Sequence, residues 1–399
     1  MSPPPPASLL PADGFAASEE ALLDAACQAA GCDDFGDPDF LEPLRILLEA
    51  YDQEACLTEL GQGMVRDMLL GMLRNRLVVQ RYWNERPEIL AGEIRRPLFV
   101  VGFPRTGTTA LHHLLGRDPR RQLLEYWVAA APCPRPPREQ WDAQPGYQEA
   151  EASLRLQYER DPSLKAIHVM SPELPDECRH IWMQDFADDT FEVNACIPSY
   201  SKWYARKDMR PVYRRHRDVL KLIQSSGDEV PWVLKYSGHL RHLGALLDVY
   251  PDACVVWTHR DPTTVVSSYC SLASGWRALF EREVDRHALG GWLAEVCADS
   301  VDRAMEVRKH ADPARFYDLD FREIVRDPVG AVRDIYARFD FELDEQTERS
   351  MREWHAGNPQ GKHGEHVYRA EDYGLSREGL ADRFGAYMRE YAVPLEDAR

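Results

Sequence analysis

The sequence predicts an α/β protein: a central parallel sheet flanked by helices, with a P-loop-like first turn, behind a helical N-terminal prelude. Three observations predict it. RPLFVVGFPRTGTTALHHLLG, residues 96–116, reads as a short buried strand, a glycine loop and a helix. Two later apolar runs, PWVLKY at 231–236 and ACVVWTH at 253–259, flank the helical HLRHLGALLDVY. Strand, helix and strand within about 30 residues make a parallel crossover unit. Before residue 94, in contrast, apolar residues recur with helical spacing.

In chain order, residues 1–17 open with a proline-rich stretch and are expected to be a disordered tail. Residues 18–94 form the helical region. SEEALLDAACQAAG has a cap at Ser18, an acidic first turn and a stop near Gly31. DPDFLEPLRILLEAYDQE repeats Phe40, Leu41, Leu44, Ile46, Leu47 and Leu48 at near-helical spacing, and TELGQGMVRDMLLGMLRNRLVVQRYWNERP extends as one long helix to Pro87. With no Gly/Ser-rich linker after it, this region is expected to pack on a single main domain, residues 95–399. Within that domain MRPVYRRHRDVLKLIQSSG is helical, ARFYDLDF at 314–321 is a further strand, and DPVGAVRDIYARFD is the helix after it.

The chain of 399 residues carries a formal charge of -18, from 66 acidic and 48 basic residues. Such a surface argues against nucleic acid or an anionic membrane as partner, while leaving room for a locally positive cleft. The nine cysteines, an odd number with no repeated CxxC pairing, suit free thiols in a reducing compartment. The start lacks the basic and apolar regions of a secretory signal, and no apolar run reaches the roughly 20 residues of a membrane span. A cytoplasmic protein is expected; its oligomeric state stays open.

The loop between Gly102 and Gly107 keeps the glycine spacing of GxxxxGK[ST], yet Thr108 stands where the lysine belongs, Thr109 follows, and Arg105 lies within the loop. A helix N-terminus still offers N–H groups to an anion. What is lost is the device that grips a magnesium-bound triphosphate. Arg105, Thr106, Gly107, Thr108 and Thr109 resemble the 5′-phosphosulfate loop of sulfotransferases that use 3′-phosphoadenosine 5′-phosphosulfate (PAPS). In VVWTHRDPTTVVSSYCSL, Arg260 at a strand end and Ser268 eight residues on resemble that family's 3′-phosphate motif. Lys362, His363 and Gly364 resemble its glycine-containing basic segment over the same phosphate, and Tyr317 resembles its tyrosine beside the adenine. The resemblance runs from about Arg95 to about Tyr391. It implies a P-loop-like sulfotransferase fold and PAPS as donor, with 3′-phosphoadenosine 5′-phosphate (PAP) as product. It also implies a hydroxyl acceptor, an amine being second choice, and no metal. A phosphosulfate carries less charge than a triphosphate, which accounts for a loop without its lysine.

Transfer needs a donor for the leaving oxygen and a base for the acceptor. Lys235 ends a buried strand, where parallel sheets open their crevice. His239 follows at a helix start, with an imidazole pKa suited to a base. Tyr236, Ser237 and Gly238 separate the two, a departure from the family's more compact pattern. Glu177, in SPELPDECRHIWMQDF, is a second base candidate and could share a helix face with His180. Relatives place a glutamate after the tryptophan of a strand that follows the loop; here Val128 follows Trp127, and Glu125 is the nearest acid. The base is therefore His239, Glu177 or Glu125. Trp182, Phe186, Phe191, Tyr200, Trp203 and Tyr204 could line a pocket for a small, apolar or lipid-like acceptor. Two other readings are a P-loop kinase, which would depend on magnesium, and a binding protein that keeps the cofactor but has lost the base.

Overall fold

A computed structural model describes residues 14–160, 170–227, 229–358 and 368–396. Four parallel strands, β1 (Leu98–Val101), β2 (Val233–Lys235), β3 (Cys254–His259) and β4 (Phe316–Asp320), form one sheet in the order β2-β1-β3-β4. The register pairs Val100 with Lys235, Val101 with Trp257 and His259 with Asp320. The phosphate loop, Lys235, Arg260 and the residues after Asp320 therefore emerge along one carboxyl edge.

All four residues of β1 are buried, because both faces of the sheet are covered. Phe99 and Val101 face a large apolar cluster, and Leu98 and Val100 face a second one. The alternation follows from the period of two along a strand. The second cluster holds Leu111, Leu114 and Leu115 of α4 (Thr108–Leu115) and Val332 and Ile335 of the helix Pro328–Phe339.

The larger cluster is continuous with the prelude: Leu22 of α1 (Glu19–Ala30), Leu44 and Leu47 of α2 (Leu41–Gln53) and Leu69 and Leu73 of α3 (Glu59–Glu85) all belong to it. α1 ends on Gly31 in the left-handed conformation. Ser18 does not cap through its side chain; its hydroxyl donates back to the Gly14 and Phe15 carbonyls. α3 is capped by Thr58, whose Oγ1 accepts from the Gly61 N–H at 2.9 Å. Residues 14–17, expected within the disordered tail, are anchored instead. Phe15 is buried, and the N–H groups of Phe15 and Ala16 donate to the Asp52 carboxylate at 2.7 Å.

The segment around Trp127 is not a strand. Gln122 makes an isolated bridge to Trp232, and Glu125 another to Pro175, after which Tyr126–Ala130 coils into a helix. Its N–H groups are taken by Leu174 and Pro172 carbonyls rather than by the sheet.

Candidate active site

The phosphate loop bends where its residues permit. Gly102 has φ 142° and Gly107 φ 85°, both in the region that favours glycine. A Cβ on Gly102 would stand 2.3 Å from Thr258 Oγ1, so the loop lies tight on β3. Thr106 stitches it there: its Oγ1 donates to the Phe103 carbonyl at 2.7 Å and meets Thr258 Oγ1 at 2.6 Å. The Thr106 hydroxyl is therefore a buried brace for the loop, not a group offered to a ligand. Beyond Gly107, the first-turn N–H groups of α4 have no partner within the helix and open onto the cleft.

Lys235 is set by the end of β2. Its side chain is 4% exposed, and Nζ donates to Glu177 Oε1 at 2.7 Å and to Thr109 Oγ1 at 3.4 Å. Glu177 lies 58 residues away in sequence. Backbone bonds bring it there: Asp176 N–H donates to the Leu124 carbonyl, and Cys178 N–H to that of Lys235 itself. Arg179 Nε stands 3.7 Å from the other oxygen of Glu177. Burial alone would raise the Glu177 pKa. The charges of Lys235 and Arg179, with the lysine hydrogen bond, outweigh it and hold the carboxyl below its usual range.

Two adjoining cavities share Pro104, Met170, Glu177, Arg179, Ser237, Leu272 and Trp276, so they form one cleft with Glu177 at the junction. The first, of about 360 Å³, lies along Arg105, Gly107, Thr108, Thr109, Arg260 and Phe321. The second, of about 270 Å³, is walled by Tyr126, Tyr269, Phe280 and Val193, with Asp189 and Asn194 as polar members. Tyr236 lines this second cavity, and its hydroxyl stands 3.0 Å from both oxygens of Asp188 and within hydrogen-bond reach of Asp189, its one proton shared among them. Burial, then the neighbouring Asp189 charge, pushes the Asp188 carboxyl well up.

At the far end of the first cavity, Arg260 lies over the Phe321 ring at 4.1 Å and donates Nη1 to the Arg105 carbonyl at 2.7 Å. Its remaining fork grips a carboxylate, Nε to Glu396 Oε1 at 2.6 Å and Nη2 to Oε2 at 3.0 Å. Arg105 has φ 72°, and desolvation and the like charge of Arg260 both depress its guanidinium pKa. Ser268, on the helix Pro262–Phe280, shares the four-residue stripe of Leu272 and Trp276, which line the cleft. Asp261 caps that helix, accepting from Thr263 N–H at 2.9 Å.

Several expected site residues lie elsewhere. His239 is fully buried in an aromatic cage of Phe99, Trp182, Tyr213 and Tyr236 and lines neither cavity. Its Nδ1 shares a 2.8 Å hydrogen bond with the Tyr213 hydroxyl, and burial holds its pKa well below the usual imidazole value. It is a core histidine rather than a base in the cleft. Glu125 is also buried, 3.5 Å from Arg135, with its pKa raised by burial, and it lines neither cavity. Val128 is core. Tyr317 sits near the start of β4 rather than at its end, and its ring packs on the second apolar cluster. Trp182, Phe186, Phe191, Tyr200 and Tyr204 are core, so the expected aromatic pocket is built from other residues. Lys362, His363 and Gly364 lie outside the described residues. Ser237, Leu272, Trp276 and Phe321 were missed. Only Leu272 and Trp276 had a legible signal, one turn apart on the stripe that begins at Ser268. Among the described residues no cluster of His, Cys, Asp or Glu is arranged to hold a metal ion, and no helix is long and apolar enough to cross a membrane.

Comparison with known proteins places this cleft in context. Residues 97–345, more than half the chain, match the sulfotransferase family. The structure superposes on sulfotransferase STF1 of Mycobacterium tuberculosis at 38% identity, covering 94% of this chain and all of that one, with a TM-score of 0.85. It superposes on sulfotransferase STF9 of Mycobacterium avium at 29% identity, covering 95% and 98%, with a TM-score of 0.88. Curated sulfotransferases named for omega-hydroxy-beta-dihydromenaquinone-9, from Mycobacterium bovis and M. tuberculosis, are 27% identical over 60% of this chain. The chain spans 61% of the length of those curated relatives.

Proposed function

Because the chain belongs to the sulfotransferase family and folds as its members do, we propose that it carries a sulfonate group from PAPS to the hydroxyl of a small apolar or lipid-like acceptor. The observation that carries this reading is the 2.7 Å contact of buried Lys235 with Glu177, the carboxylate that lines both the phosphate-loop cavity and the aromatic one. PAPS supplies a sulfonate already activated on a phosphate, so the protein has to position two oxygens and manage charge and one proton.

The residues present suit an anion of that shape. The glycine bends expose the first-turn N–H groups of α4, Thr108 and Thr109 add hydroxyls, and Arg105 and Arg260 are like charges brought together at the loop. Arg260 already holds a carboxylate with two parallel hydrogen bonds, the geometry a phosphate also accepts. On this reading Arg260 and Ser268 hold the 3′-phosphate, and the loop holds the 5′ end.

Lys235 donates to the leaving phosphate oxygen as its charge grows. In doing so it turns from Glu177, which loses the chief partner that holds its pKa down and becomes a stronger base. Glu177 then takes the proton of the acceptor hydroxyl, presented from the cavity of Tyr126, Val193, Tyr269 and Phe280. The names of the curated relatives make a hydroxylated menaquinone-like quinone a reasonable acceptor to try first.

Calorimetric titration with PAP, with and without magnesium, beside Arg260→Ala, tests the donor. Magnesium-independent binding that the variant loses is the expected result and opens an acceptor screen of phenols, sterols and hydroxylated isoprenoids. Magnesium-dependent binding of ATP with none of PAP would sink the reading and favour a kinase.

A further inference from the structure

The Arg260 fork is filled by the chain itself. After the helix Gly385–Glu390, Val393 is buried and its N–H donates to the Met388 carbonyl at 2.9 Å, so the strand of chain beyond it is anchored at its root. Glu396 then reaches back to Arg260. Its carboxylate takes two hydrogen bonds from Arg260, its N–H donates to Asp261 Oδ2 at 2.8 Å, and its carbonyl accepts from Arg377. Three separate contacts, to side chains from two other parts of the chain, hold this one residue. The carboxylate is about a quarter exposed and Arg260 about a tenth, so the pair sits at the rim rather than in the core.

We infer that Glu396 is a built-in competitor for the 3′-phosphate of the nucleotide: its carboxylate occupies the place of that phosphate on Arg260, and it must leave the fork for the 3′-phosphate to bind. The inference rests on the reading of Arg260 as a 3′-phosphate ligand and adds a control to it. A carboxylate and a phosphate compete for the same two N–H groups, and both cannot pair with them at once. The apparent affinity for the nucleotide falls by the fraction of molecules in which the fork is free. A phosphate, with more charge and a third oxygen, displaces the carboxylate when nucleotide is abundant. When the product leaves, Glu396 returns to the fork and keeps the two facing arginines from being left without a counter-charge.

Two nucleotides separate this inference from the reading beneath it. PAP and 5′-AMP differ only by the 3′-phosphate, so titrating both into wild type and Glu396→Gln isolates the contact. PAP is expected to bind Glu396→Gln about tenfold more tightly than wild type, for a fork that is occupied nine-tenths of the time. The affinity for 5′-AMP is expected to stay within twofold. Equal PAP affinity in the two proteins would overturn the inference while leaving the donor site intact. Failure of wild type and variant alike to prefer PAP over 5′-AMP would bring down both. Amide exchange in wild type gives a second readout that needs no variant. The Glu396 N–H, bonded to Asp261, is expected to exchange faster when PAP is added, and unchanged or slower exchange would also overturn the inference.

Discussion

Lys235 and Glu177 show what a single contact decides at the residue scale. The lysine was legible, because a charged residue at the end of an otherwise apolar buried strand has few other reasons to be there. The glutamate was one of three acids and bases left open, and only backbone bonds between remote segments single it out. Glu177→Gln is expected to lower kcat by roughly 10²–10⁴-fold without weakening PAP, since it removes the base and leaves the loop. Lys235→Ala should lower kcat by about 10²–10³-fold, with both effects read by steady-state kinetics and calorimetry. A loss of PAP binding in Glu177→Gln would contradict the assignment. His239 makes the opposite case. Sequence spacing suggested a base, but the chain wraps it in rings. Held neutral with a depressed pKa, it contributes stability that is complete above the unfolded imidazole value of about 6.5 and drains away as pH falls below it. His239→Phe removes that drain. Its stability deficit relative to wild type, measured by urea unfolding, is expected to be smaller at pH 5 than at pH 7. PAP affinity should not change.

Elements were read most securely where both faces or one face of a segment carried a strong pattern. β1 is an unbroken apolar run and β3 is apolar through Trp257 because they are buried on both sides, and α3 has a cap, a stripe and a proline stop. The segment around Trp127, which the resemblance implied to be a strand, carries no pattern of its own, because isolated apolar residues look the same in a bridge, a helix turn and a strand. Besides the apolar contact of its stripe, α3 is tied to the main domain by a buried arginine whose partners no local pattern reveals. Arg76, 3% exposed, donates to the carbonyls of Phe35 and Asp37 at 2.9 and 2.7 Å and to Asp185 Oδ1 at 2.5 Å, and its guanidinium covers the Phe40 ring. Arg76→Ala leaves two carbonyls and the Asp185 carboxylate without this donor. It is expected to cost about 3 kcal/mol or more, seen as a lower urea midpoint, whereas an exposed pair such as Arg45–Glu19 should cost under about 1 kcal/mol.

On the scale of the whole molecule, the cleft exists only because one carboxyl edge gathers loops from β1, β2 and β3, the 170–180 segment and the stripe of the helix Pro262–Phe280. A ligand that touches all of these ties the sheet to its surroundings. PAP at a hundred times its Kd is therefore expected to stabilise the fold by about 2.7 kcal/mol, a thermal shift of a few degrees that EDTA leaves unchanged. A shift abolished by EDTA would refute a metal-free site. The sequence by itself determined the parallel α/β class, the glycine loop at its head and the positions of Lys235 and Arg260, because each depends on neighbours within a few residues: a run, a turn, a strand end. Tertiary structure alone decided that Glu177 meets Lys235, that His239 is walled in, which aromatics line the cleft, and that Glu396 sits in the Arg260 fork. Those facts depend on which distant segments are packed side by side, and packing is set by the shape of the whole core rather than by any local pattern.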